Sequence, residues 1–302
     1  MQTRRMYGHD YTRVGFYMIT MNTAGRRRIF GECRDNRVFL SPAGETVERR
    51  WHEIPRHRPQ IETSDLVVMP DHLHGILYVK EQLPKPLGNT LRGFASGVTS
   101  ELRKTAETPG LAVWEGSFND RIIMNADTLR NERKYIRDNP RRYCLRKANP
   151  DLFVRVNHLR HPRLPDDQHW RGYGNLFLIE RPDLMPVQVS RQATAKDIAS
   201  LRAKVRERVS AGAVAVSPFI SPGEKEIAGM VMARDSGDLI LMKPAGFPPL
   251  YKPSGAYFDL CAEGRLLVLT AFPYTGRKQT LTRECCLRMN QWVADICAPN
   301  RA

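Results

Sequence analysis

No apolar run in the 302-residue chain approaches the roughly 20 residues that a bilayer-spanning helix requires. A membrane protein is therefore not expected. The opening segment, MQTRRMYGHDY, carries charge with no apolar stretch behind it, so it lacks the pattern of a secretory leader. The cysteines are Cys33, Cys144, Cys261, Cys285, Cys286 and Cys297, with no CxxC pair and no zinc-finger spacing. A chain of this length does not depend on a disulfide framework, so reduced thiols and a cytoplasmic setting are expected. Internal repeats, low-complexity tracts and a complete GxGxxG are missing as well, and dinucleotide binding is not supported.

What the chain has in excess is positive charge, a formal +15. Residues 1–150 carry 26 Lys/Arg against 17 Asp/Glu, and the remainder carries 21 against 15. Such an excess suits a polyanionic partner, because phosphate contacts release counterions.

The two halves differ in texture. The first alternates apolar and polar residues from Val14 to Met21, a strand pattern. A turn at Gly25–Arg28 and strands near Ile29 and Val38–Leu40 follow. Glu45–Ile54 reads as a helix stopped by Pro55. Strands are expected at Ile61–Met69, His72–Val79 and Ile122–Ile123, with a helix over Leu91–Thr105. Asp127 reads as the N-cap of a helix that ends at Asn139, before Pro140. An antiparallel sheet with a few helices, an α+β domain over residues 1–150, is the expectation. Residues 151–184, rich in Pro, His and Arg, read as a linker with a strand at Asn175–Ile179. Residues 185–302 alternate short apolar strands (Val187–Val189, Ala213–Val216, Asp238–Met242, Leu266–Thr270) with helices (Lys196–Val209, Arg283–Ile296). That pattern predicts an α/β domain with a parallel sheet covered on both faces.

Chemistry concentrates in the first half. In Asp71-His72-Leu73-His74-Gly75, the two histidines are i and i+2 on a strand and project from one face. Two adjacent imidazoles can chelate a divalent cation, although paired strand histidines are also common as plain structural residues. In Tyr135-Ile136-Arg137-Asp138-Asn139-Pro140, Tyr135 and Asn139 share a helix face. The Asn139 amide oxygen suits magnesium or manganese as a third ligand. A cation beside Tyr135 would favour phenolate and polarise a phosphate; a core tyrosine and a helix-end asparagine are the structural alternative. Around them lie Arg130, Arg133, Lys134, Arg137, Arg141, Arg142, Arg146 and Lys147 against only Glu132 and Asp138. Such a run is either a solvated face or a track for a nucleic-acid backbone. Tyr7, Tyr11, Trp114, Phe118 and Tyr143 are available for stacking on unpaired bases, or for the core.

Three ordered segments resemble one family. Met69-Pro70-Asp71-His72-Leu73-His74-Gly75-Ile76, then Phe118-Asn119-Asp120-Arg121-Ile122-Ile123, then Tyr135-Ile136-x-x-Asn139-Pro140 are similar to the REP-associated tyrosine transposases, of the HUH single-tyrosine class. Tyr11-x-x-x-Gly15-Phe16-Tyr17 and Trp51-x-x-Ile54-Pro55 extend the likeness over roughly residues 7–148. The family usually carries Asn before its first histidine; here Asp71 stands there. The resemblance implies a ferredoxin-like HUH domain in which His72, His74 and Asn139 bind Mg2+ or Mn2+. It implies that Tyr135 attacks single-stranded DNA beside a foldback hairpin, leaving a 5′-phosphotyrosine and a free 3′-hydroxyl. A covalent intermediate of that kind lets a second strand resolve it without ATP. Arg121, Arg133, Lys134, Arg137, Arg141 and Arg142 are the expected DNA contacts, with an ion pair of Asp120 and Arg121 as the structural alternative. The implied activity is that of a transposase-like nickase and strand-transferase. A hairpin-binding protein that no longer cuts and a replication-initiator nickase are the other readings, and a monomer and a dimer are both compatible.

In the second half, Ser217-Pro218-Phe219-Ile220-Ser221-Pro222-Gly223-Glu224 follows a strand and has the spacing of a capping box. Ser217, Ser221 and Gly223 are a candidate anion-binding loop at a helix N-terminus, or simply a well-capped helix. With Gly246-Phe247, Tyr251-Lys252-Pro253 and Cys261-Ala262-Glu263-Gly264-Arg265, this order loosely resembles Rossmann-like domains of the SLOG type.

Overall fold

The alternation that begins near Val14 forms β1 (Gly15–Asn22) in the computed structural model, which describes residues 6, 8–105, 112–190, 192–233, 237–276 and 280–298. Contacts divide the chain into two units, Met1–Lys147 and Ala148–Ala302.

In the first unit β1 pairs antiparallel with β5 (His72–Val79) and with β6 (Asn119–Ile123), while β4 (Ile61–Met69) pairs with β5. The sheet order is β4-β5-β1-β6. A separate hairpin, β2 (Gly31–Arg34) and β3 (Arg37–Leu40), turns at Asp35 and Asn36 with φ of 51° and 61°, the left-handed values of a tight hairpin turn. One sheet face buries Tyr17, Ile19, Met21, Leu73 and Leu77 in a core with Val47 and Trp51 of α1 (Pro42–His52) and Leu91, Phe94 and Val98 of α3 (Leu87–Thr105). Between them lies the short helix α2 (Ile54–His57), which takes in Pro55 rather than ending at it. Proline fits there because a first-turn N–H has no partner to lose. Gly75 faces Trp51 so closely that a β-carbon there would lie well inside van der Waals contact of the indole Cζ2. The opposite face buries Met18, Ile76 and Ile123 against Ile136 of α4 (Ala126–Ala148).

Helix α4 departs from expectation at both ends. Its cap is Asn125, whose Oδ1 accepts the Thr128 N–H at 2.8 Å, so Asp127 sits in the first turn. It also runs through Pro140 instead of stopping. An internal proline removes one N–H and crowds the preceding turn, but its φ is helical. The far half is held by tertiary contacts: the Cys33 thiol lies 3.3 Å from the Pro140 carbonyl and 3.2 Å from Cys144 Sγ, and Arg28 lies over the Tyr143 ring at 5.9 Å.

The second unit holds a mixed sheet. Residues 151–184, read as a linker, supply β7 (Arg155–Leu159) and β8 (Trp170–Gly174), antiparallel to each other. Apolar residues within the Pro- and Arg-rich segment anchor it: Leu164 and Trp170 are core, and the Trp170 indole N–H donates to the Pro165 carbonyl at 3.0 Å. Asn175–Ile179 is not a strand. Residues Leu176–Glu180 form a 3-10 turn capped by the Asn175 side chain, and the strand expected at Val187 lies earlier, at β9 (Leu184–Pro186). With β10 (Val214–Ser217), β11 (Asp238–Met242) and β12 (Leu266–Thr270), β9 builds a parallel set in the order β7-β8-β12-β11-β10-β9.

The parallel strands follow in chain order, without the reversal of a doubly wound sheet. Crossovers of one hand then place their helices on one face. Accordingly α5 (Ala195–Ser210), α6 (Pro222–Met232) and α7 (Ala256–Ala262) share one core through Val205, Ile227 and Leu260. The other face is covered by α8 (Arg283–Cys297) through Met289, Trp292, Val293 and Ile296. Among the described residues no helix is long and apolar enough to cross a membrane.

Candidate active site

Strand pairing sets one row of side chains on the α4 face of the first sheet. Asn22 is opposite His72, and Thr20 is opposite His74 on one side and Asn119 on the other. The His72 and His74 ring centroids are 4.7 Å apart, edge to face. Tyr135 reaches this row from α4, its ring 5.3 Å from that of His74. Tyr135 stays 39% exposed, so its ring meets both His74 and solvent.

Each imidazole is held at Nδ1. Asp71 Oδ1 lies 2.6 Å from His72 Nδ1, and a carboxylate there fixes the proton on Nδ1 and leaves a lone pair on Nε2. Burial pushes the Asp71 carboxyl up, but the hydrogen bond and charge of His72, with Arg26 beyond, outweigh it and hold the group below its usual range. Thr20 Oγ1 lies 2.8 Å from His74 Nδ1, and a hydroxyl can accept from the same tautomer. His74 is pushed down to about 3, first by burial and then by His72, Arg26 and Arg121, so it stays neutral, the form that binds metals.

Among the described residues no three His, Cys, Asp or Glu side chains gather into a metal-binding cluster. A chelate at His72 and His74 therefore needs another kind of donor. Asn139 lies in the buried stripe of α4 with Glu132 and Ile136, one turn beyond Tyr135. Its amide oxygen is chemically suited to a hard cation. The structure brings together the rings of His72, His74 and Tyr135, and it puts Asn139 on the same helix edge.

Most of the expected DNA-contacting cations are engaged within the unit. Arg121 pairs with Glu132, and Arg133 and Arg137 pair with Asp65 at 3.1 and 2.8 Å. Arg141 donates to Asp138 at 2.6 Å. Arg142 lies 3.9 Å from the same carboxylate and 5.8 Å from the Tyr135 ring centre. Lys134 is exposed. Of the aromatics, Tyr11 is core, Trp114 packs on Phe30, Phe118 packs against the core, and Tyr143 lies under Arg28; Tyr7 lies outside the described residues. Sequence reading missed Thr20, Glu132 and Asp65, because their roles depend on strand register and helix rotation.

The loop at Ser217, Ser221 and Gly223 is closed by its own carboxylate. Glu224, 4% exposed, accepts from the Ile220, Ser221 and Val189 N–H groups at 2.8, 3.1 and 3.2 Å. Ser221 Oγ accepts the Glu224 N–H, Ser217 Oγ accepts the Phe219 N–H, and a β-carbon on Gly223 would press on Val189. The donors that an anion would use at Ile220 and Ser221 are thus occupied, and these residues form a capped helix start.

No family model matches the chain. An uncharacterized protein of Haemophilus influenzae is 30% identical over 156 residues, which is 45% of this chain and 86% of that protein. The chain belongs to the family of that protein. No activity follows from this membership. Solved structures give three distant likenesses. One is a REP-associated tyrosine transposase bound to a REP hairpin (19% identity, 46% of this chain and 74% of that one, TM-score 0.36). Another is a putative transposase of Deinococcus radiodurans (14%, 44% and 95%, TM-score 0.30). A third is DNA processing protein A of Helicobacter pylori, described for its single-stranded DNA binding mode (17%, 48% and 66%, TM-score 0.37).

Proposed function

We propose that the first unit is a metal-dependent, single-strand DNA nickase and strand-transferase of the transposase type, with Tyr135 as nucleophile. The observation that carries this reading is the row of rings: a partly exposed phenol against His74, which in turn meets His72, with both imidazoles held at Nδ1. His72, His74 and Asn139 would hold a divalent cation, Mg2+ or Mn2+. Bound there, it would supply the positive charge that polarises a scissile phosphate and favours phenolate.

The chain's own residues do the rest. Asp71 and Thr20 orient the imidazoles, and neutral His74 adds no proton to the site. Arg142, beside the Tyr135 ring, sets a cation where negative charge would develop. In the proposed step a bond forms between Tyr135 Oη and phosphorus, and the bond from phosphorus to the 3′-oxygen breaks. The phenol proton leaves to solvent and the 3′-oxygen takes one up, giving a 5′-phosphotyrosine and a 3′-hydroxyl. The 3′-hydroxyl of a second strand reverses the step and joins the ends.

The test is incubation with labelled hairpin-flanked single strands and Mg2+ or Mn2+, followed by denaturing electrophoresis. A shifted adduct that disappears in Tyr135→Phe is expected. An adduct that survives in Tyr135→Phe removes the nucleophile. Tight binding with no adduct for any strand tested favours the hairpin-binding protein that does not cut.

A further inference from the structure

The strand β4 contains one residue too many. Thr63 is opposite Leu77 and Leu66 is opposite Gly75, so three steps on β4 match two on β5. This is a β-bulge. Side chains on a regular strand alternate between faces, and Thr63 and Leu66 both keep to the α1/α3 side. Ser64 and Asp65 are therefore turned together toward α4. Both meet the same arginine: Arg133 Nη2 donates to Ser64 Oγ at 3.1 Å, and Arg133 Nε lies 3.1 Å from Asp65 Oδ2. Arg137 Nε donates to Asp65 Oδ1 at 2.8 Å. Asp65 is only 12% exposed, whereas its two partners are 41% and 72% exposed.

The two arginines flank Tyr135 in sequence but not in space. At about 100° per residue, Arg133 and Arg137 lie within about 40° of each other, and Tyr135 is about 180° from their midpoint. Ile136 rests on the sheet between these two edges of the helix. An apolar contact of that kind resists sliding apart but is weakly directional. Rotation about the helix axis then depends on directional contacts: Glu132 with Arg121, the Cys33 and Arg28 contacts of the far half, and Asp65 with Arg133 and Arg137 on the edge away from Tyr135. At a side-chain radius of about 5–6 Å, a 15° rotation moves a side-chain tip by roughly 1.5 Å. A misplacement of about 1 Å at a reacting group can cost roughly 100-fold in rate.

We propose that Asp65, aimed by the β4 bulge, is a positioning residue that fixes the rotation of α4 through Arg133 and Arg137 and so holds Tyr135 against His74. The catalytic consequence rests on the function proposed above; the geometric one does not. Asp65 touches neither the nucleophile nor the histidines, so its effect is carried through the helix.

Asp65→Asn keeps the size and removes the charge. Two measurements on the full chain separate the outcomes. In nuclear Overhauser spectra of selectively labelled protein, with Tyr135→Phe for assignment, the wild type shows a contact between the Tyr135 and His74 rings. Asp65→Asn is expected to weaken it while the contacts of Ile136 with Met18 and Ile76 remain, and Asp65→Glu is expected to restore part of it. In single-turnover adduct formation, Asp65→Asn is expected to be about 10–100-fold slower with DNA affinity unchanged or higher, since two arginines are released. An undiminished Tyr135–His74 contact in Asp65→Asn overturns the proposal. So does loss of the Ile136 contacts together with it, which would make Asp65 a general anchor of the helix. A wild type that forms no adduct sinks the reaction, while the spectra still decide the role of Asp65.

Discussion

His74 shows how far a single side chain is defined by its neighbours. Opposite Thr20 and beside His72 it is a buried neutral base, whereas an imidazole in open solvent changes charge near neutral pH. Removal of His72, whose Nδ1 is held by Asp71, should lower Mn2+ affinity in a calorimetric titration by at least 10-fold. Unchanged affinity in His72→Ala would remove the pair as ligands. Gly75 makes the complementary point on the other face of the same strand. Gly75→Ala forces a methyl against the Trp51 ring and should destabilise the first unit by about 1–3 kcal/mol in denaturant unfolding. Glu224 sets the corresponding limit in the second unit. Its carboxylate accepts three backbone N–H groups, and Glu224→Ala should cost about 1–3 kcal/mol or more there; a neutral result would mean those donors find other partners.

Elements were legible where one period dominates. The alternation of β1, the paired histidines of β5 and the apolar spacing of α3 all announce themselves, and the structure has them within a few residues. The elements that set the site were less legible. Pro140 marks a helix end by its chemistry, yet α4 continues because Cys33 and Arg28 hold its far half. The helix gives up one hydrogen bond at that point. Pro140→Ala should therefore raise the midpoint of chemical unfolding, by about 1–3 kcal/mol in stability, and a lowered midpoint would show that the proline fits without cost. The bulge at Ser64–Asp65 carries no glycine or proline to signal it and becomes visible only once Thr63 and Leu66 are matched to β5. The rings of His72, His74 and Tyr135 were singled out in the sequence. Of the residues that orient them, Asp71 was legible as the family's Asn position beside His72, whereas Thr20 was not, because hydrogen-bond partners across strands follow from register.

At the scale of the molecule, both units bury thiols. Cys33 in the first unit and Cys261 and Cys297 in the second are each pushed up to about 12, chiefly by burial. Between an ordinary thiol value near 9 and about 12, the unfolded chain releases protons that the folded chain keeps. The unfolded state then binds fewer protons, so stability falls as pH rises through that window. A scanning-calorimetry series under reducing conditions should show the melting temperature dropping from pH 9 upward, and Cys261→Ala should flatten the drop in the second unit. A melting temperature independent of alkaline pH would mean that these thiols ionise freely in the folded state.

The sequential order of β9 to β12 has a consequence in time. Three crossover helices cover one face of that sheet as it is made; on the other face Leu164, Leu178 and Ile179 are made early, but α8 follows every strand of the sheet. At ordinary rates of synthesis, about 5–20 residues per second, the ribosome needs roughly 8–30 s to make the second unit after the first is complete. For that interval the first unit, which carries His72, His74 and Tyr135, can already be folded, while the second unit's nascent sheet still shows the valines, leucines and isoleucines that α8 will cover. A chaperone that recognises such a row would meet the second unit before α8 has been made.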